Sequence, residues 1–219
     1  MVAMKAQGMK SGADRDRDAS RRRLIESVGA VLAEEGFQGM GVNAVARRAG
    51  LDKVLIYRYF GGLPGLISAF AVEYDFWPSL DELVGGDADA FRTLPVSDRL
   101  ALGTRHFMRA IRARPLTQEI LTWVFKEQSE TTKGLDEVRE RVGRGFLELC
   151  GMNDPDVASS IDVPALLAII GAAVNHLCAR ADKIRYFAGI DLVDGDGWKR
   201  LEDMLERMIK AVFAEAGLS

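Results

Sequence analysis

Few residues that carry covalent or metal chemistry occur in this chain. Its 219 residues include two cysteines, Cys150 and Cys178, and two histidines, His106 and His176. Neither histidine has a glutamate three residues before it, as the carboxylate metal sites of helical bundles require, and no Cys or His cluster has zinc spacing. No local motif places a nucleophile beside a base. We therefore expect no enzyme and no cofactor or metal, and free buried thiols rather than a disulfide.

Long apolar runs and strand patterns are also missing. The longest apolar stretch, Val163 to Val174, contains Pro164 and Gly171 and is too short to span a bilayer. The N-terminus lacks the apolar core of a signal peptide, so we expect a cytoplasmic protein. No alternating strand pattern and no glycine-rich phosphate loop occur, and the sequence predicts an all-α fold.

The charge is distributed unevenly along the chain. The net charge is -3. Residues 1–60 contain 11 basic and 7 acidic residues, which leaves 18 basic and 25 acidic residues in 61–219. A charge split alone is more typical of ordinary solvated surfaces than of a binding site. A basic N-terminal region on an acidic body is nevertheless compatible with phosphate binding.

A helix-turn-helix pattern lies in this basic region. Ala46 is small where two helices must approach, Gly50 follows where the chain must turn, and Ile56 lies on the next helix. Gly50 suits the left-handed conformation at a helix end. Leu51 is expected in the core, and Asp52 is expected to cap a recognition helix from Lys53 to Phe60.

The predicted recognition helix would place Ile56, with Tyr59 or Phe60, on its inner face. An earlier helix carries the apolar stripe Leu24, Val28, Val31 and Leu32 and ends at Gly36, after which Phe37 returns to the core. Together these patterns predict a three-helix head that reads the major groove. The predicted DNA-binding residues are Asn43, Arg47, Lys53, Val54, Leu55, Tyr57 and Arg58.

These motifs resemble the tetracycline-repressor (TetR) family of bacterial regulators. The matching residues are Gly36-Phe37, Val42, Val45-Ala46, Ala49-Gly50, Tyr57 and Phe60. Gly41 stands where the family usually has a capping Thr or Ser that touches a phosphate, and Asn43 is a possible substitute. The Gly61-Gly62-Leu63 segment replaces the usual Ser-Lys-Glu. We therefore expect phosphate anchoring to depend more on Lys53, Tyr57 and the arginines at 21–23.

The resemblance implies a ligand-responsive homodimer. The final two helices of each subunit would form a four-helix interface that spaces two heads on a palindromic operator, and a small effector would release the DNA. Aromatic and polar residues of the middle helices are the candidate effector-pocket lining: Trp77, His106, Phe107, Trp123, Phe125, Asn175 and His176. The candidate interface residues are Leu166, Ile170, Val174, Leu201, Leu205, Met208 and Val212.

The function indicated is a transcriptional regulator, most simply a repressor released by a small molecule. Two alternatives stay open: a helical-bundle enzyme or carboxylate metal protein, and a regulator that responds to a protein partner. Each aromatic residue proposed for the effector pocket could instead be an ordinary core residue, and the apolar segment 165–177 could instead be a central core helix.

The predicted domain organisation has three parts. Residues 1–18 form a flexible arm, 19–62 the helix-turn-helix domain, and 63–219 a helical effector-binding and dimerisation domain. Asp196 and Ser97 are expected to cap helices. The predicted helices of the body run from Pro64 toward Leu83, Ser97 to Arg114, Leu116 to Gln128, Leu135 to Leu149, Val163 to Ala181 and Trp198 to Ala214.

Overall fold

A computed structural model describes residues 12–36, 38–124 and 130–218 of the chain. The chain divides into two compact units. The first comprises Met1–Glu73 with Ser129–Leu135, and the second comprises Tyr74–Gln128 with Asp136–Ser219. The architecture is helical, as the sequence predicts, with one small hairpin among the described residues.

Four helices and the first residues of a later one, at 130–135, build the first unit. In it α1 packs against both α2 and α4, while α3 packs against α4. Leu24, Val28 and Val31 are fully buried, which confirms the predicted apolar stripe of α1. Phe70 closes the core from α4 and approaches Gly29 of α1 so closely that a Cβ there would lie 3.2 Å from its ring. The helices are α1 (Gly12–Glu35), α2 (Val42–Ala49), α3 (Val54–Phe60) and α4 (Leu63–Glu73).

The start of α1 corrects the prediction of a flexible arm over residues 1–18. Residues 12–18 are helical, and residues 1–11 lie outside the described part. The Asp-Arg alternation has no apolar period, but extending a helix that is already nucleated costs little. The guanidinium of Arg17 also lies 5.8 Å from the centre of the Tyr59 ring, which holds this turn against α3. The helix ends at Gly36, which has a φ of 66°; Phe37 lies outside the described residues.

The second unit is a helical body around α7, which packs against α5, α8, α11 and α12. A two-stranded antiparallel hairpin pairs Tyr186 with Asp191 and Phe187 with Ile190. The elements, in order, are α5 (Leu80–Val84), α6 (Ala88–Thr93), α7 (Val96–Arg112), α8 (Pro115–Val124), α9 (Glu130–Cys150), α10 (Pro155–Ser160), α11 (Val163–Arg180), β1 (Tyr186–Phe187), β2 (Ile190–Asp191) and α12 (Gly195–Glu215).

Several predicted helix boundaries in the body are wrong. The single helix from Pro64 to Leu83 is two, α4 and α5, because Asp75 has a φ of 50° and Pro78 lacks the amide that a continuous helix needs. Ser79 then caps α5 by a capping box with Glu82.

Two of the predicted caps are also wrong. Ser97 lies inside α7 and is buried, and α12 is capped by Asp194, whose carboxylate accepts from the amide of Asp196 at 3.2 Å. The helices α6 and α10 and the hairpin were not predicted, since segments this short have too few residues to show a period.

Both cysteines are free and buried, as predicted. Burial raises the pKa of each thiol to about 12. The thiolate is the reactive form of cysteine, so both thiols are poor nucleophiles at neutral pH.

The helix α11 is apolar but poorly covered. Its 18 residues have a mean hydropathy of 1.5, and 28% of them are buried. By length and composition it could cross a membrane, contrary to the shorter estimate from the sequence. The pair α3 and α4, bent by 64°, also passes this test if counted as one span. One or two such helices are weak support for a membrane protein, since core helices have the same composition.

Candidate nucleic-acid interface

The turn between α2 and α3 has the conformation that its residues predict. Gly50 lies in the left-handed region with φ 62° and ψ 36°. The amide of Gly50 donates to the Arg47 carbonyl at 3.2 Å, and the amide of Leu51 donates to the Ala46 carbonyl at 3.1 Å. These two bonds end α2 in a Schellman arrangement. Leu51 was predicted to lie in the core, but it is half-buried.

Asp52 caps the recognition helix as predicted, but the helix begins one residue later than expected. Asp52 accepts a hydrogen bond from the amide of Val54 at 2.8 Å, and α3 begins at Val54 rather than Lys53. Ile56 is fully buried and anchors α3, while Tyr59 and Phe60 are half-buried. A helix held by one buried side chain and a carboxylate cap keeps its opposite face free.

That opposite face presents the predicted readers. Val54 and Tyr57 are 60% and 56% exposed, which is unusual for apolar side chains with no partner. Leu55 is half-buried. The remaining predicted readers are exposed polar or basic side chains: Asn43, Arg47, Lys53 and Arg58. Asn43 and Arg47 lie on α2, and the other predicted readers lie on α3 or directly before it. Donors, cations and apolar groups of this kind suit the base edges and thymine methyls of a major groove.

The arginines of α2 are paired with the end of α1. The Arg47 guanidinium lies 3.0 Å from the Glu35 carboxylate, and that of Arg48 lies 2.9 Å from Glu34. All four side chains are at least 41% exposed, so these pairs add little stability. DNA phosphates would therefore compete with Glu35 for Arg47 at small cost.

The arginines at 21–23 lie in the middle of α1 and have contacts that the sequence did not predict. Arg23 donates to the carbonyl of Ala49 at 2.5 Å and so caps the end of α2. The Arg21 guanidinium lies 5.1 Å from the centre of the Phe60 ring. Arg22 is exposed. A contact across 26 residues such as that of Arg23 leaves no local signal in the sequence.

The two departures from the family pattern have different structural consequences. Gly41 is extended, with φ −171°, and no side chain caps α2; in particular, no such cap comes from Asn43. Nothing lies within 4 Å of a Cβ built on Gly41, so a larger residue fits there. Gly61 has a φ of 76° and ends α3, with its amide on the Tyr57 carbonyl at 2.9 Å. A glycine is favoured at that position by its backbone conformation.

The predicted effector-pocket residues of the second unit are not all in one kind of environment. Trp77 is buried and its ring lies 5.3 Å from that of Phe107. His106 uses Nδ1 in a 3.0 Å hydrogen bond with the Leu83 carbonyl oxygen. The Oδ1 atom of Asn175 is buried without a hydrogen-bond partner among the described residues.

Of the three further predicted pocket residues, one lies on the surface and two lie wholly or partly outside the described residues. His176 is exposed, with its ring 5.7 Å from that of Phe187. Phe125 lies outside the described residues, as does the side chain of Trp123.

The predicted interface residues fall into two groups, one buried in the chain's own core and one partly or largely exposed. Ile170 and Val174 are buried within the chain, so they face its own core. Leu166 is half-buried, as are Leu201, Leu205 and Val212, and Met208 is 52% exposed. The exposed side of α11 instead carries Ile169, which is 66% exposed, among small residues. The exposed residues within the helix are Ala165, Ala168, Ile169, Ala172, Ala173 and His176, besides Pro164 at its start and Arg180 at its end.

Comparison with known proteins supports both the domain and the fold. Residues 25–69 match the family model of bacterial regulatory proteins of the tetR family. A TetR family transcription regulator from Marinobacter aquaeolei VT8 is 18% identical, with a TM-score of 0.53 over 89% of this chain and 97% of that one. The fatty acid degradation regulator FadR from Bacillus halodurans is 16% identical, with a TM-score of 0.53 over 86% and 96%. A search of curated protein sequences finds no match.

The family match covers the elements that build the interface. Residues 25–69 contain the C-terminal 11 residues of α1, the whole helix-turn-helix and the first seven residues of α4. The match thus falls on the capped turn, the buried Ile56 and the exposed basic face described above. The N-terminal domain is therefore similar to the DNA-binding domain of the tetR family of bacterial regulatory proteins, and this match supports a role in DNA-binding transcriptional regulation.

Proposed function

We propose that this regulator is a cytoplasmic repressor that binds a palindromic operator as a homodimer and releases it when a small molecule binds. Two domains accompany this proposal: a helix-turn-helix domain, and a helical body that binds the effector and the second subunit. The observation that carries the DNA-binding role is the exposed mixed face of α3, with Val54 and Tyr57 beside Lys53 and Arg58.

The proposed dimer rests on the uncovered apolar surface of the last two long helices. Ile169 and the alanines of α11 are exposed, and Met204 and Met208 of α12 are 51% and 52% exposed. An apolar face of this kind is unfavourable in water. We assign the interface to Leu166, Ile169, Leu201, Leu205, Met208 and Val212, and leave Ile170 and Val174 to the core.

The proposed effector site rests on Asn175 and on the tilted pair of rings of Trp77 and Phe107. A buried acceptor without a partner costs about 1–3 kcal/mol. A ligand donor that reaches Oδ1 of Asn175 would recover this free energy, and apolar ring faces suit the rest of a small molecule. An effector that binds more tightly to the dimer when its two heads are at a different spacing would lower operator affinity. The loss would equal the difference between the effector's binding free energies for the two states of the dimer.

Selection of bound sequences from random duplex DNA tests the dimer and the operator together. We expect a palindrome whose half-sites lie roughly 10 base pairs apart, because two heads read successive major grooves on one side of the duplex. A single half-site without symmetry would contradict the dimer. No enrichment of any sequence would contradict sequence-specific binding.

The direction of regulation is tested with a reporter placed behind the selected operator. We expect the regulator to lower transcription, and we expect a compound found by thermal-shift screening to restore it. A compound that tightens operator binding would contradict release. Failure of all small compounds, with release by a protein from the same cells, would favour the partner-responsive alternative.

The Asn175 assignment is tested by substituting Asn175→Leu. The change removes the unpaired acceptor, so we expect the free energy of unfolding without ligand to rise by about 1 kcal/mol in chemical denaturation. Asn153→Leu, at an exposed amide of the same unit, is the matched control and should change stability little. A large loss of stability in Asn175→Leu alone would mean that the amide already has a partner in the free protein.

A further inference from the structure

A basic groove lies between α7 and α12 of the second unit. Three arginines, Arg105, Arg109 and Arg112, follow one another on α7 at steps of four and three residues, which places them on one helix face. They line a cavity of about 380 Å³ whose other wall comes from α12. None of these residues is among those predicted to line an effector pocket.

Two of the three arginines are neutralised by the protein itself. Arg109 donates through Nε and Nη2 to the two carboxylate oxygens of Glu202, at 3.0 Å and 2.6 Å. Glu202 is buried, and this bidentate pair satisfies it. Arg105 is paired through Nη2 alone with Glu206, which also contacts Lys210. These pairs tie α7 to α12 and account for both glutamates.

Two cations of the groove remain without a carboxylate. Arg112 stacks over the indole of Trp198, with its guanidinium carbon 4.1 Å from the ring centre, and Lys199 is exposed on the adjoining wall. Neither forms an ion pair or a side-chain hydrogen bond in the part of the chain that the structure describes. Burial lowers the pKa of Arg112, since it loses water without gaining a full counter-charge.

The stacking on Trp198 also orients the Arg112 side chain. Trp198 is 1% exposed and its indole N–H donates to the Leu192 carbonyl at 2.7 Å, so the ring is a rigid base. The guanidinium carbon of Arg112 lies 4.1 Å from the centre of this ring, so the contact restricts the side chain while its N–H edge remains available to an acceptor. An oxyanion meets that edge with two parallel hydrogen bonds.

We propose that this groove is a binding site for a small molecule that carries an oxyanion, either a phosphate or a carboxylate. Arg112 supplies the bidentate contact and Lys199 supplies a second positive charge. Asp203 lines the same groove and opposes the ligand's charge. Every residue of this site belongs to the second unit.

The test measures binding of inorganic phosphate and of acetate to the full chain by calorimetry, at constant ionic strength with chloride as the balancing anion. We expect at least one of the two anions to bind. Lys199→Gln should weaken that binding about tenfold, because a charge-assisted contact is lost. Arg112→Lys, which keeps the charge but not the planar fork, should weaken it by a similar factor. Asp203→Asn should tighten it about threefold.

Arg200→Gln is the matched control, since Arg200 is an exposed cation adjacent to Lys199 but does not line the groove. We expect it to bind the anion like the unsubstituted chain. Binding of phosphate alone or acetate alone identifies the head group of the ligand and supports the site. Binding of neither anion overturns the proposal. It is equally overturned if Arg200→Gln weakens binding as much as Lys199→Gln, or if Arg112→Lys and Lys199→Gln both bind normally.

Discussion

The recognition helix α3 and the body helix α11 both expose apolar side chains, yet they differ in what surrounds those side chains. At α3, Val54 follows the basic residue Lys53 and Tyr57 precedes the basic residue Arg58. On α11, Ile169 lies among exposed alanines, and the one charged residue of the helix is Arg180 at its end. Exposed apolar surface alone therefore does not identify a partner. The charges beside it indicate a polyanion for α3 and another apolar surface for α11.

The substitution Ile169→Glu should have the largest effect of those that separate the two surfaces. It places a carboxylate at the centre of the exposed face of α11, where a second subunit would leave it without water or a partner. We expect dimerisation to weaken by roughly a hundredfold or more, measured by analytical ultracentrifugation. Palindromic operator binding should weaken with it.

The matched control for Ile169→Glu is Val193→Glu, which adds the same charge at a site that is 70% exposed but outside α11. We expect it to leave the dimer unchanged. A dimer that survives Ile169→Glu would remove α11 from the interface and leave the DNA-binding surface unaffected.

The double substitution Tyr57→Phe with Arg58→Ala tests the other surface. It removes a hydroxyl and a cation from α3 without touching the buried Ile56. We expect operator affinity at moderate salt to fall by about 10- to 100-fold, because each base or phosphate contact contributes about 1–3 kcal/mol. The control pairs Tyr186→Phe with Arg92→Ala, two exposed residues of the second unit. Unchanged affinity in the α3 variant would exclude both residues from the interface.

The substitution Glu35→Gln should have a smaller effect in the opposite direction. It removes the carboxylate that holds Arg47 and leaves this arginine for a phosphate. We expect operator affinity to rise about two- to fivefold and the salt dependence to steepen by about one counterion. The control is Glu34→Gln, which releases Arg48 instead. An equal gain in both variants would indicate a general charge effect rather than a contact by Arg47.

The smallest expected effect is that of Gly41→Ser. The backbone of Gly41 is extended and has room for a side chain, so a hydroxyl there can cap α2. We expect a gain of roughly a few tenths of a kcal/mol in the free energy of unfolding and a modest gain in operator affinity. Gly41→Ala should instead lower stability, because alanine is a poorer N-cap than glycine. Loss of stability in both variants would mean that the position requires glycine.

The same contrast explains how much could be predicted from the sequence. In the first unit the turn at Gly50, the cap at Asp52 and the buried Ile56 follow from residues at most a few positions apart, and the structure has all three. In the body, helix boundaries near Asp75 and Pro78 were missed. So were the two short helices α6 and α10, because their local patterns are weak.

Local sequence and a family signature determined the helical class, the position of the DNA-binding turn and which residues of α3 face outward. Helical periodicity and the conformational preference of glycine depend on residues only a few positions apart, so both can be recognised in the sequence. Only the tertiary structure decided that Arg23 caps α2, that Ile169 rather than Ile170 is uncovered, and that Arg112 stacks on Trp198 without a carboxylate. Each of these contacts joins elements that are far apart in the sequence. Which residues meet there depends on how the helices pack, and the local order of residues does not show it.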